Sequence, residues 1–250
     1  LRKQINSGQV KFFDMHLSML PQAVRYGFLG PLHWAVIEAC DITDGGGIVL
    51  TTSVGASNTF LKHADKVLIE LNRHHPPTML GLHDLFEPED PPTRREIPIY
   101  SARDRVGSEL VVIPPEKIVG VVETNEPDEC GSFDVADSCT EAIGHNVAEF
   151  LVAEMRAGRM PKGFLPLQSG VGNIANCVLS ALGSHPDIPA FEMYTEVLQD
   201  SVVGLLEKEQ CLFASTCALA LSAPRMKTIT DNMKFFRDRL LMRPQEISNH

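Results

Sequence analysis

The pattern that most constrains this chain is a recurrence of short Val- and Ile-rich runs, each closed by a turn signal. AVIEA (35–39), GIVL (47–50), KVLIEL (66–71) and KIVGVVE (117–123) read as strands. They are short, apolar and β-branched, as strands buried on both faces are. Helical stretches fall between some of them, and 57–64 is one, with Ser57 placed to cap it. The same texture returns in the second half. FLPLQ reads as a short strand, followed by a Gly turn, a helix over 174–182 and the strand FEMYTE (191–196). A helix over 201–208 and the strand CLFAST (211–216) come next. This alternation predicts an α/β fold with a largely parallel sheet.

Two segments break the alternation. From Asp84 to Arg105, Pro88, Pro91, Pro92 and Pro98 lie among charges, which predicts an extended arm. From Val135 to Met155, the residues Ile143, Val147, Phe150, Leu151 and Met155 share one helical face, and Gly158 and Pro161 stop the helix. A domain boundary is expected there, giving units 1–160 and 161–250.

Composition excludes several classes. At 250 residues and 44% hydrophobic content the chain can form one large or two modest domains. A net charge of -10 argues against a nucleic-acid partner, because phosphate binding needs a basic face. No apolar run reaches the roughly 18–20 residues of a membrane span, and no signal-like segment opens the chain. The cysteines Cys40, Cys130, Cys139, Cys177, Cys211 and Cys217 form no CxxC pair and have no His at zinc spacing. Cys40, Cys177 and Cys217 read as small buried hydrophobes of a reducing compartment. The chain begins at Leu1 in what reads as mid-helix and ends at SNH, so a fragment of a longer protein is expected.

Two features point to chemistry. SGVGNIAN (169–176) follows a strand and opens a helix. Gly170 and Gly172 let backbone N–H groups approach a ligand closely, and a helix N-terminus adds partial positive charge. Such a turn binds phosphate or stabilises an oxyanion. It is not the dinucleotide fingerprint, since Ala175 stands at the third Gly. The bland alternative is a tight strand-to-helix turn. Glu196, in YTEVLQD (194–200), lies one helix and one strand later. It reads either as a helix-start carboxylate or as a nucleophile sharing a strand-edge crevice with the Gly170–Gly172 turn.

The remaining motifs are weaker. His16 in DMHLS (14–18) reads as a hydrogen-bonded structural histidine, because adjacency in sequence is not triad geometry. GLHD (81–84) and the pair His74 and His75 do not match zinc spacing, and no metal is expected. DRVG (104–107) reads as a loop with a locally paired Arg105. RPQEISNH (243–250) reads as a site loop or a helix exit.

Taken in order, DMHLS, GLHD, LPLQSGVGNIAN, YTEVLQDS and LMRPQEISNH resemble the acetyl-CoA hydrolase/transferase family, and the succinyl-CoA:acetate CoA-transferases within it, over essentially the whole chain. The resemblance implies two CoA-transferase-type α/β domains, each incomplete here, with the active site between them. It implies Glu196 as nucleophile, forming an acyl-glutamyl anhydride and then a glutamyl-CoA thioester. It places Gly170, Val171, Gly172 and Asn173 along the acyl and CoA pocket, and Asn249 as an oxyanion donor. The implied substrates are a small acyl-CoA and a carboxylate such as acetate. No tightly bound cofactor is implied, and a homodimer is expected by analogy. A cytoplasmic home is expected, with a mitochondrial one as alternative. CoA transfer is the main reading and acetyl-CoA hydrolysis the alternative. A non-catalytic nucleotide-binding module is the reading from another class, and Lys162 is the basic residue near the turn that would favour it.

Overall fold

The computed structural model describes residues 2–130, 136–161 and 163–249. A short helix α1 (Arg2–Asn6) and helix α2 (Leu20–Arg25) precede the first sheet. That sheet holds β1 (Trp34–Ile42), β2 (Gly47–Leu50), β3 (Lys66–Asn72), β4 (Val111–Val112) and β5 (Ile118–Thr124), in the order β4-β2-β1-β3-β5. Strands β1, β3 and β5 are mutually parallel, whereas β2 runs antiparallel to both β1 and β4. The connection from β1 to β2 explains the difference. Thr43 N–H donates to the Gly47 carbonyl at 2.8 Å and closes a tight turn, too short for the crossover that parallel neighbours need.

Helix α3 (Ser57–His63) lies between β2 and β3. Ser57 does not cap it. The N-cap is Ala56, which has no side chain to offer, and Ser57 is already the first helical residue.

The strands are not buried on both faces throughout. β2 is buried along its length, but β1 alternates, with Trp34 54% and Val36 65% exposed. Strand β5 is exposed or half-buried along its length. One face of the sheet therefore carries the core, and its edge strand β5 is open.

Helix α4 spans Ser138–Arg156 and α5 spans Asn173–Ser184. The expected start of α4 at Val135 lies outside the described residues. The observed start is a reciprocal cap. Thr140 N–H donates to Asp137 Oδ1 at 2.7 Å, and Asp137 N–H donates to Thr140 Oγ1 at 3.0 Å. The two helices pack closely because Gly144 lies against the backbone of α5. A Cβ there would stand 2.6 Å from the Cys177 carbonyl oxygen.

The rest of the chain builds β6 (Phe191–Tyr194), β7 (Val197–Gln199), α6 (Asp200–Glu207), β8 (Cys211–Thr216) and β9 (Ala218–Ala220). Helices α7 (Ala223–Asp231) and α8 (Met233–Arg237), strand β10 (Leu240–Met242) and helix α9 (Gln245–Ser248) follow. Strands β10-β8-β6 form a parallel sheet, and β7 pairs with β9 in a separate parallel ribbon. The FLPLQ segment is not a strand; Leu167 makes one isolated bridge to Met193. A single hydrophobic cluster runs from Ala35 in β1 through α4 and α5 to Met242 in β10. No helix among the described residues is long and apolar enough to cross a membrane.

The proline-rich arm after Asp84 forms no regular strand or helix through Arg105. It is nonetheless tied down: Asp84 Oδ1 accepts from the N–H groups of Val106 and Gly107 at 2.9 and 2.6 Å.

Candidate active site

Glu196 does not start a helix. Helix α6 begins at Asp200, and the acidic residue of its first turn is Asp200 itself. Glu196 occupies instead the break between β6 and β7, at the point where the chain leaves the β10-β8-β6 sheet for the β7-β9 ribbon. Its partner β8 breaks at the same level, at Cys217, before β9.

The backbone at this break is fixed by three donors to one oxygen. The Glu196 carbonyl accepts from Cys217 N–H at 2.9 Å, from Ala218 N–H at 3.3 Å and from Thr216 Oγ1 at 2.8 Å. A carbonyl so held fixes the direction in which its own side chain leaves the sheet. The carboxylate is half-buried, and Gln245 Nε2 approaches its Oε1 at 3.4 Å.

The two residues bracketing this stretch reach to the Gly turn. Thr195, fully buried, donates from Oγ1 to the Ser169 carbonyl at 2.9 Å. Gln199, also buried, donates from Nε2 to the Gly170 carbonyl at 3.0 Å and accepts from Gly172 N–H at 3.1 Å. Thr195 and Gln199, on either side of Glu196, thus tie this stretch of chain to the Gly170–Gly172 turn. Gly172 has φ +130, a conformation only glycine adopts readily, and it is the N-cap of α5, with Asn173 the first helical residue. Val171 is exposed at the tip of the turn. Lys162, the basic residue that would favour nucleotide binding, lies outside the described residues.

Asn249 closes helix α9, its N–H bonded to the Gln245 carbonyl at 3.0 Å. Its side chain makes no hydrogen bond among the described residues, while Gln245 on the same helix meets the carboxylate. Gln245 is the residue that the sequence reading missed. A glutamine four positions before Asn249 lies one helical turn away, on the same face, and that spacing was the available signal.

The other motifs converge behind this crevice. Arg243 is fully buried and forms an ion pair with Asp84 of GLHD. Its Nε donates to Ser215 Oγ at 2.7 Å, and its remaining N–H groups reach the carbonyls of Ala102 and Asp104. Burial holds the Arg243 guanidinium below its ordinary pKa, against the pull of Asp84. Arg105 is not locally paired; it donates to the carbonyls of Gly81 and His83. His16 is the expected structural histidine, with Nδ1 2.7 Å from Ser18 Oγ. The 3-10 turn that follows it, Leu17–Met19, packs on α9. Tyr194 OH donates to the Ile247 carbonyl at 2.8 Å, and burial raises its pKa. A cleft lined by Ile97, Ile99, Tyr100, Pro166, Tyr194 and Ile247 opens beside Tyr194, two residues from Glu196.

All six cysteines are free. Cys40, Cys211 and Cys217 are buried, but Cys177 is only half-buried, against the expectation for it. Burial pushes the Cys40 thiol up to about 12 and raises Cys217, which the nearby Glu196 charge raises further. Neutral thiols of this kind are poor nucleophiles.

His75 is not a loop histidine in solvent. It is 1% exposed and stands beside Glu38 and Asp128.

Comparison with known proteins adds an independent finding. A family model for the acetyl-CoA hydrolase/transferase N-terminal domain matches residues 1–123. A propanoyl-CoA:succinate CoA transferase of Escherichia coli is 49% identical over all of this chain and 51% of its own length. An acetyl-CoA hydrolase of Schizosaccharomyces pombe is 39% identical over all of this chain and 49% of its own. The chain spans about half the length of the curated relatives it matches. Among solved structures, a 4-hydroxybutyrate CoA-transferase of Porphyromonas gingivalis superposes with a TM-score of 0.63 at 20% identity, over 95% of this chain and 51% of that one. That likeness supports the fold.

Proposed function

Because the chain belongs to the acetyl-CoA hydrolase/transferase family, we propose that it carries the nucleophile of a CoA-transferase, and that this nucleophile is Glu196. The observation that supports the proposal is the position of Glu196 at the sheet break, its carbonyl held by three bonds and its neighbours Thr195 and Gln199 tied to the Ser169–Gly172 turn.

The reaction runs as carboxylate exchange through the enzyme. Glu196 attacks the thioester carbonyl of a small acyl-CoA, the C–S bond breaks, and an acyl-glutamyl anhydride forms with release of CoA thiolate. The thiolate attacks the glutamyl carbonyl, expelling the acyl group as a free carboxylate and leaving a glutamyl-CoA thioester. A second carboxylate attacks that thioester, releasing CoA thiolate and forming a new acyl-glutamyl anhydride; the thiolate then attacks the acyl carbonyl of this anhydride, its C–O bond breaks, and the new acyl-CoA leaves with the Glu196 carboxylate regenerated. Each step replaces one activated acyl group by another. The protein therefore stabilises charge rather than supplying energy. Asn249 donates to the oxyanion, Gln245 orients the carboxylate, and the Gly170–Asn173 turn lines the acyl pocket. The cleft beside Tyr194 seats the apolar part of the thioester. CoA enters as substrate, and no tightly bound cofactor takes part in these steps. Residues 1–160 and 161–250 form the two α/β units flanking the site, and the protein works as a homodimer in the cytoplasm.

Hydrolysis is the second reading, favoured by the name of the S. pombe relative. There, water resolves the glutamyl thioester. The test is intact-mass and peptide mapping after incubation with acetyl-CoA and no acceptor. A CoA adduct on the YTEVLQD peptide is expected, and it should be absent in Glu196→Gln, whose amide cannot form the anhydride. An adduct on another peptide, or full exchange activity in Glu196→Gln, would overturn the assignment.

A further inference from the structure

A second cluster of polar groups lies at the carboxyl ends of the parallel strands of the first sheet, where α/β folds place ligands. Glu38 comes from β1, and Asp128 from the segment after β5. His75 follows the turn that leaves β3, its N–H bonded to the Asn72 carbonyl at 3.2 Å. One potential ligand atom from each of Glu38, His75 and Asp128 lies within 4.8 Å of the other two. His75 Nε2 stands 3.4 Å from Asp128 Oδ1 and 3.8 Å from Glu38 Oε1, and neither contact has hydrogen-bond geometry.

The histidine is the informative member. Its ring is 1% exposed, and neither ring nitrogen has a hydrogen-bond partner among the described residues. A buried polar ring without a partner costs about 1–3 kcal/mol per orphaned group, and buried polar groups normally have a partner. The two carboxylates, by contrast, are oriented from behind. Glu38 accepts from Thr51 Oγ1 on Oε2 at 2.6 Å and from Asn72 Nδ2 on Oε1 at 2.6 Å. Asp128 accepts from Thr52 Oγ1 on Oδ2 at 2.7 Å. Asp128 thus keeps Oδ1 directed at the histidine, whereas Glu38 faces it with Oε1, the oxygen it also offers to Asn72.

We propose that Glu38, His75 and Asp128 form a site for a divalent transition ion, with Thr51, Thr52 and Asn72 orienting the two carboxylates. Ligand atoms 2.0–2.2 Å from one ion stand roughly 3–4.4 Å apart, and the 3.4 and 3.8 Å separations of His75 Nε2 from the two carboxylates fall within that range. One neutral imidazole with two carboxylates is a donor set that zinc and manganese accept. Both carboxylates remain about one-third exposed or less, at 33% and 27%, which leaves an approach from solvent while the imidazole stays inside. Thr52 links this cluster to the Glu196 crevice, since its carbonyl accepts from Leu219 N–H at 2.8 Å in the β9 strand. The site is separate from the nucleophile and does not depend on the assignment of Glu196.

The test is metal binding itself. The protein is stripped with chelator, dialysed, and titrated calorimetrically with ZnCl2 and, separately, with MnCl2. One saturable site per chain is expected for at least one of the two ions. His75→Ala and Asp128→Asn should both abolish it, and Thr52→Val should weaken it by about 10–100-fold, the usual cost of losing an outer hydrogen bond. Circular dichroism on the apo variants separates loss of binding from loss of fold. Should His75→Ala fail to fold, the isosteric Asp128→Asn decides the matter. Absence of a saturable site in the wild type for both ions would overturn the proposal and leave the cluster as a histidine–carboxylate ion pair. So would wild-type stoichiometry and affinity in a folded Asp128→Asn.

Discussion

One amide, Gln245, meets the proposed nucleophile and a second, Asn249, ends the same short helix, and the two are expected to do different work. Gln245 Nε2 is 3.4 Å from Glu196 Oε1, a long contact to the ground-state carboxylate. Asn249 ends the same helix with no side-chain hydrogen bond among the described residues. An amide already engaged with the carboxylate positions it, whereas one left uncommitted suits charge that appears only in the transition state. Asn249→Ala is therefore expected to lower kcat by on the order of 10²-fold, the cost of one oxyanion donor. Gln245→Ala is expected to lower it by about tenfold, through misorientation of the carboxylate. Steady-state kinetics on the two variants checks this, and equal, negligible effects would return both residues to a structural role. Glu196 itself was legible in the sequence as a candidate, but its surroundings were misread. A carboxylate four residues before a helix looks like a helix-start acid. Only the pairing of β7 with β9 shows that a separate strand intervenes. Gln245 escaped notice because its spacing from Asn249 shows a shared helix face but not which residue that face will meet across 49 positions of chain.

At the level of elements, the helix pair α4 and α5 shows how local propensity yields to packing. Alanine is normally preferred to glycine within a helix by about 1 kcal/mol. At Gly144 the sign should reverse, because the added Cβ would meet the Cys177 carbonyl oxygen at 2.6 Å, and backbone cannot move aside cheaply. Gly144→Ala is expected to destabilise the fold by about 1–3 kcal/mol, as overpacking does. Urea unfolding measures it; a stabilised variant would show that the two helices separate freely. Element type and order were readable from Val and Ile runs and from helical periodicity. GIVL and CLFAST match their strands end to end. Direction was not readable, since β2 has the composition of its parallel neighbours and only its short link to β1 turns it antiparallel. Exposure was not readable either. The β5 run is as apolar as a central strand but lies at the edge of the sheet order.

Across the whole molecule, the loops bearing GLHD, DRVG and RPQEISNH are locked into one buried assembly. His83 belongs to it, with Nε2 3.0 Å from the Thr51 carbonyl. It therefore carries its proton on Nε2 as the neutral ring. Burial lowers its pKa from 6.5 to about 4, with Arg105 adding to the effect and the Thr51 bond opposing it. Between these two values the unfolded chain binds a proton that the folded one refuses, so stability falls as pH drops from about 6.5 to about 4. The full shift amounts to on the order of 3 kcal/mol. His83→Gln should flatten that part of the stability profile, measured by denaturant unfolding at pH 7, 5.5 and 4. A wild-type slope unchanged by the substitution would place the titration elsewhere. The sequence showed these motifs as separate loops. Nothing in composition discloses that Arg243 and Asp84 are partners, because charge pairing at a distance leaves no local pattern.

That partnership has a consequence for how the polypeptide is made. Asp84 and Arg243 are 159 residues apart. At the usual synthesis rate of about 5–20 residues per second, the carboxylate is incorporated roughly 8–30 s before the guanidinium exists. Once β5 has been made, at Thr124, the first sheet has all its strands while the carboxylate that anchors its proline-rich arm still lacks its counter-ion. The nascent chain must hold that arm in solvent, and the loops around Asp84 close only when the last strand arrives to claim them.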